Sequence, residues 1–221
     1  MKLYRLRYSP YARKVQVLLD LLGLPHELIE VKYGDRRELA ELTGGYIYVP
    51  VLVDDDGTVV VESRVICERL LRRVTSATLV PRPLTGPIWA YHDFCDGPLE
   101  DVLFRLASPT VHASWSDAFE RALYKLIKER KFGAGCLETW RLQRTELAAR
   151  GQALLAPTVT TLESQAFLFG ERPTLADAAL YGSLAMLHEA DPELLALFPE
   201  PLGRYYRQLT QLAAVSAAPV R

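Results

Sequence analysis

Cysteine is scarce in this chain: Cys67, Cys95 and Cys136 stand far apart, and no two have Cys-x-x-Cys spacing. That scarcity excludes a disulfide framework, a thiolate zinc cage and a dithiol redox pair made from the chain's own residues. Histidine is equally sparse, with His26, His92, His112 and His188 scattered singly, so no metal site is suggested. Charge of one sign is also missing. With 26 Lys and Arg against 27 Asp and Glu, the formal charge is -1, and the basic residues are mixed with acids. No field is left to hold a polyanion, which excludes sequence-independent nucleic-acid binding. No apolar run is long enough to cross a bilayer, and residues 1–5 lack the apolar core of a signal peptide, so a cytosolic address away from membranes is expected. The run Phe132-Gly133-Ala134-Gly135-Cys136 lacks the Gly-x-Gly-x-x-Gly pattern of a nucleotide loop and reads as a plain connection.

What remains is ordinary globular material: 221 residues, 49% hydrophobic and 24% charged, enough for two modest domains. Residues 3–8 alternate, with Tyr4, Leu6 and Tyr8 on one face and Arg5 and Arg7 on the other, which predicts a strand. Ser9-Pro10 then reads as a helix cap and first turn, and Val15, Leu18, Leu19 and Leu22 repeat at helical spacing up to Gly23. Residues 27–31 predict a second strand and residues 35–42 a short helix. Residues 50–53 and 59–61 are β-branched runs joined through Asp55-Asp56-Gly57, a hairpin signal. Ser63 is placed to cap a last helix carrying Ile66, Leu70 and Val74.

The order β-α-β-α-β-β-α predicts a thioredoxin-like α/β domain over residues 1–75 with a mixed sheet. Prolines 81, 83 and 87 mark a linker at 76–86, and an all-α helical bundle is expected over 87–221. Its helices are expected near 88–106, 116–130, 137–155, 174–190 and 201–214. Thr174 and Asp177 have the spacing of a capping box, which predicts a folding role.

Three places are suited to chemistry. A hydroxyl at Tyr8-Ser9-Pro10-Tyr11 lies beside orphan N–H groups and the positive end of a helix dipole, which favour a thiolate; the same Ser9 also serves as a simple cap. A thioredoxin-like redox protein places Cys-x-x-Cys where this chain has Ser9-Pro10-Tyr11-Ala12, so the thiol must come with a ligand. Val49-Pro50, if cis, offers its backbone to an extended peptide; otherwise it merely opens a strand. Glu62-Ser63 at a helix start suits the carboxylate and ammonium of an amino-acid head group, or is only a cap beside a solvated acid.

Taken together, Ser9-Pro10-Tyr11-Ala12-Arg13-Lys14-Val15, Tyr48-Val49-Pro50-Val51-Leu52, Glu62-Ser63-x-x-Ile66 and Pro173-Thr174-Leu175-Ala176-Asp177 resemble the motifs of the glutathione S-transferase family, in the manner of a serine-type, bacterial-like cytosolic member. The resemblance implies that glutathione is the co-substrate and no metal takes part. It implies that Ser9 donates to the glutathione sulfur, with Tyr8 as the rival donor. Tyr11, Val49 and Pro50 would also line the peptide, and Glu62 and Ser63 would hold its γ-glutamyl end. The family's Lys or Gln before the Val-Pro pair is replaced by Ile47 and Tyr48, which leaves the glycyl carboxylate without an assigned partner. A small hydrophobic electrophile is expected between the domains against Trp89, Tyr91, His92 and Phe94, a stripe that also has the spacing of a core. The reaction implied is conjugation. Dehalogenation, isomerisation or ether cleavage would use the same thiolate, and a non-catalytic glutathione-binding scaffold is the alternative of a different class. A homodimer is implied as well.

Overall fold

The computed structural model describes residues 1–73 and 78–216. Val74, expected on the last helix of the first domain, and the expected boundary at 75 lie outside the described residues. Four strands, β1 (Lys2–Arg5), β2 (Glu27–Glu30), β3 (Val51–Val53) and β4 (Val59–Val61), form one sheet in the order β2-β1-β3-β4. β1 and β2 are parallel, and the other two pairs are antiparallel. With the helices α1 (Pro10–Leu21), α2 (Arg37–Thr43) and α3 (Ser63–Arg73) the arrangement is thioredoxin-like, as its local patterns predicted.

Register assigns the faces. Leu3, Leu52 and Val60 lie side by side and join Val15, Leu18, Ile66 and Leu70 in the main core. Tyr4 and Val51, one residue away on their strands, turn to the opposite face and pack with Leu39 of α2. β1 stops earlier than residue 8 because the Leu6 carbonyl accepts the Ser9 N–H at 2.9 Å, bending the chain into the helix cap. α3 begins at Ser63 itself, its Ile66 N–H bonding the Glu62 carbonyl at 2.9 Å, so Ser63 lies inside the first turn, one place later than the cap expected. Arg69 and Arg73 of α3 reach across to Asp54, a buried carboxylate at the base of the β3–β4 hairpin.

The remainder is helical: α4 (Thr85–Phe94), a π-turn (Cys95–Leu99), α5 (Glu100–Ser114), α6 (Ala118–Phe132), α7 (Cys136–Leu142), α8 (Arg144–Ser164), α9 (Leu175–Ala190), the single turn α10 (Pro192–Leu195) and α11 (Glu200–Ser216). Two of these run past their expected ends, through Pro109 in α5 and Pro157 in α8; each proline removes one N–H, while buried faces such as Leu106, Ala107 and Val111 hold the helix in place. The helix expected over 137–155 is broken at Gln143, whose N–H ends α7 on Thr139 and whose carbonyl starts α8 at Leu147. Among the described residues no helix is long and apolar enough to cross a membrane.

α9 is buried on every side from Leu175 to Leu187 and forms the axis of the molecule. α1 lies along it. A Cβ at Gly182 would stand 2.3 Å from the Pro10 carbonyl oxygen and 3.0 Å from the Lys14 nitrogen, so only glycine admits the α1 backbone there. The capping box starts α9: Asp177 Oδ2 accepts from the Thr174 N–H and hydroxyl, each at 2.7 Å, while Oδ1 accepts from Leu168 N–H at 2.9 Å and the Tyr205 hydroxyl at 2.8 Å. Four donors around one fully buried carboxylate make this a structural knot.

Candidate functional site

Pairing of Tyr4 with Val51 and of Val51 with Val61 brings the end of β1, the start of β3 and the end of β4 to one end of the sheet. Ser9, Val49-Pro50 and Glu62-Ser63 follow or precede those three positions, so register alone gathers them. Ser9 is the N-cap of α1; its Oγ accepts from the Ala12 N–H at 3.3 Å and its carbonyl accepts from the Arg13 N–H at 2.9 Å. Its hydroxyl proton is left to donate. Pro10 has no N–H and no acid stands in the first turn, so the end of the helix offers its dipole to an anion.

The Val49–Pro50 bond is cis, and Pro50 is buried while Ile47 and Tyr48 before it are exposed. Glu62 is the one described non-glycine residue with positive φ, at 69°. Holding a glutamate in the left-handed region costs energy, and such strain collects where a side chain must be aimed. The Tyr46 hydroxyl donates to Glu62 at 3.1 Å, and Ser63 beside it is buried at the first turn of α3. Tyr11 sits among the acids of both domains: burial, then the fields of Glu100, Asp96 and Glu62, push its hydroxyl above the ordinary tyrosine value.

The two hydroxyls at the end of β1 are in different surroundings. Tyr8 points into an aromatic cluster, with Trp115 at 5.9 Å and Tyr124 at 6.3 Å between ring centroids, and its buried hydroxyl has no hydrogen-bond partner among the described residues. Burial drives its pKa far upward.

Between the domains, Lys14 is buried and donates to Asp96 in the π-turn at 2.6 Å and to His92 Nε2 at 2.9 Å. An ammonium only donates, so Nε2 accepts and the imidazole proton sits on Nδ1, facing Asp93 at 3.0 Å. Burial and the Lys14 charge hold His92 neutral. Asp93 in turn pairs with Arg64 of α3, next to Ser63. None of this pairing follows from sequence spacing; the pattern showed only a lone histidine and a helical lysine. Of the other aromatic residues expected at a second-substrate pocket, Trp89 lies under Arg64 at 4.4 Å, Tyr91 bonds Thr158 at 2.7 Å and Phe94 packs on Tyr91 at 5.4 Å. Beside Tyr8 and Tyr11 stand residues the sequence pattern did not single out: Tyr124 on α6, 6.3 Å from Tyr8, Arg36 at the start of α2, whose charge reaches Tyr8, and Glu100 on α5, whose charge reaches Tyr11; Lys128 of α6 lies over Tyr124 and over Phe104 of α5.

Residues 3–77 match a model of the glutathione S-transferase N-terminal domain, and residues 145–214 a model of the glutathione S-transferase C-terminal domain. Glutathione S-transferase PM239X14 of Arabidopsis thaliana is 26% identical over 201 residues, 88% of this chain and 85% of that protein. Glutathione S-transferase omega-1 of Rattus norvegicus is 27% identical over 81 residues, 37% of this chain, so the chain spans about a third (34%) of the length of that relative. Among solved structures, glutaredoxin 2 from Salmonella typhimurium in complex with glutathione superposes with a TM-score of 0.74 at 18% identity, over 97% of this chain and 94% of its own. At that identity the likeness is one of fold.

Proposed function

The chain belongs to the glutathione S-transferase family, and from that premise we propose that it is a serine-type transferase that binds glutathione at the end of the sheet, activates its thiol at Ser9 and delivers the thiolate to an electrophile in the cleft between the domains. The observation that carries this reading is the Ser9 hydroxyl: capping uses its lone pair, not its proton, and the proton stands at the N-terminus of a helix whose first turn carries no acid. A hydrogen bond from that proton and the helix dipole both favour S⁻ over SH and so lower the thiol's pKa toward neutrality. In conjugation the sulfur–carbon bond forms, the leaving group takes the electron pair of its broken bond, and the thiol proton passes to solvent. Val49 would pair through its backbone with the cysteinyl unit, Tyr11 and Pro50 would line it, and Glu62 and Ser63 would hold the γ-glutamyl head.

The test is thiolate absorbance on titrating the protein with glutathione across pH. Wild type should show a depressed thiol pKa, Ser9→Ala should lose it together with about 10²–10³-fold in kcat, the usual effect of removing one donor to a developing anion, and Tyr8→Phe should keep it. Loss in Tyr8→Phe alone would transfer the role to Tyr8. Binding with no shift in wild type would make the protein a non-catalytic glutathione binder.

A further inference from the structure

Four buried side-chain polar atoms lack a hydrogen-bond partner among the described residues, and three of them, Tyr8 Oη, Arg36 Nη1 and Trp115 Nε1, belong to a single cluster. The cluster is continuous. Tyr33 stands 5.5 Å from Trp115 and 5.2 Å from Tyr124 between ring centroids, the Arg36 guanidinium lies 5.2 Å over Tyr33, and Lys128 Nζ lies 4.7 Å over both Tyr124 and Phe104. All three orphan atoms are N–H or O–H donors, and Lys128 forms no ion pair within 4 Å among the described residues. Two cations therefore occupy neighbouring rings with no anion between them.

Aromatic faces compensate a cation in part. They do not explain why two are placed side by side, where like charges repel. The carboxylates nearby form no ion pair with them within 4 Å among the described residues. Glu120 accepts from the Gly34 N–H at 3.0 Å and reaches Arg36 only through its field, and burial pushes Glu100 up to about 7, so at neutral pH much of it carries no charge. Burial and then the neighbouring Lys131 bring Lys128 down to about 8, against the opposing field of Glu100. The cluster begins at Tyr8, one residue from Ser9.

On the reading that glutathione occupies the adjoining site, we infer that the second substrate is an acid whose carboxylate docks on Lys128 and Arg36 above Tyr124 and Tyr33. The expected hydrophobic electrophile thus becomes an amphipathic one, with its apolar body against Phe104, which is only half-buried. A model reaction is attack on 4-chloro-3,5-dinitrobenzoate: the sulfur–carbon bond forms, chloride leaves with the electron pair of the carbon–chlorine bond, and the thiol proton goes to solvent.

The experiment is calorimetric binding of the two preformed conjugates, S-(4-carboxy-2,6-dinitrophenyl)glutathione and its 4-carbamoyl counterpart, with free glutathione as reference. Wild type should bind the acid about tenfold more tightly than the amide, the scale of one charge-assisted hydrogen bond. Lys128→Met keeps an unbranched apolar stem on the rings and should erase that preference with glutathione affinity unchanged; Lys128→Arg should retain it. Equal affinities in wild type, or a preference that survives in Lys128→Met, would overturn the inference while leaving glutathione binding intact. A loss of affinity for free glutathione in Lys128→Met would also overturn it, because Lys128 would then be reading the peptide's own glycyl carboxylate. Failure of wild type to bind glutathione at all would overturn the underlying reading and this inference with it.

Discussion

A serine hydroxyl has one proton and two lone pairs, and Ser9 spends one lone pair on the Ala12 N–H. That division lets one side chain both start a helix and serve as a donor to an anion beside it. The cysteines illustrate the opposite case: all three are free and buried, and burial raises the thiol of Cys67 to about 11, that of Cys95 well above its ordinary value, and that of Cys136 upward as well. Thiolate is the reactive form, so none is poised as a nucleophile. Native protein should therefore react with an aromatic disulfide reagent only as fast as it unfolds, while all three thiols react at once in denaturant. A rapidly reacting thiol in the native state would contradict that and reopen a redox role for the fold. The sequence had already shown this much, since Ser9-Pro10-Tyr11-Ala12 contains no cysteine.

At the level of elements, the site depends on how α1 meets α9. Gly182 brings the two backbones together, and the first turn that rests there carries Ser9, Pro10 and Tyr11. Alanine normally favours a helix interior over glycine by about 1 kcal/mol, but a Cβ at 2.3 Å from a main-chain oxygen cannot be relieved by a rotamer change. Gly182→Ala should cost a net 1–3 kcal/mol or so, as overpacking usually does, with a drop in Tm of about 2–4 °C for each kcal/mol in a chain of this length. Glutathione affinity should weaken as well, because the displaced element is the N-terminus of α1. A variant that melts at or above the wild-type temperature would show that α1 yields without strain. The π-turn has a related purpose: Cys95–Leu99, with Pro98 inside it, interrupts the α4–α5 helix where Asp96 faces Lys14.

Over the whole molecule, the two domains share one core and a buried polar seam. Leu3, Leu18 and Ile66 of the first part and Ile88, Leu180 and Leu184 of the second belong to one apolar cluster, and Lys14 and Asp96 bridge it with charge beside the neutral His92. Glu100 is set into this seam and gives folding a pH dependence. Its folded pKa is raised from 4.5 to about 7, chiefly by burial, so the folded state holds that proton more tightly than the unfolded state. The stability it contributes is complete below the ordinary carboxylate value and is lost as pH rises through about 7. Glu100→Gln removes the titration. Melting curves at pH 5 and pH 8 should therefore show wild type losing ground to Glu100→Gln at the higher pH; a constant difference between the two proteins would mean that Glu100 titrates normally.

The sequence by itself determined the parts whose signals are local. Strand alternation, the Ser9-Pro10 cap, the Asp-Gly hairpin and the Thr174–Asp177 box each lie within a few residues, and each formed where its pattern stood. Boundaries moved where a local turn bond ended a strand early, as from Ser9 to Leu6, or where buried faces carried helices through Pro109 and Pro157. Only the tertiary structure decided what lies beside what. Sheet register gathered Ser9, Val49 and Glu62 at one end, and Lys128, already one turn from Tyr124 on α6, came to rest over Phe104 of α5 as well. The reason is physical: capping and periodicity act over a turn or two, whereas a buried charge such as Lys14 meets its partner Asp96 only when helices 82 residues apart in the chain pack together.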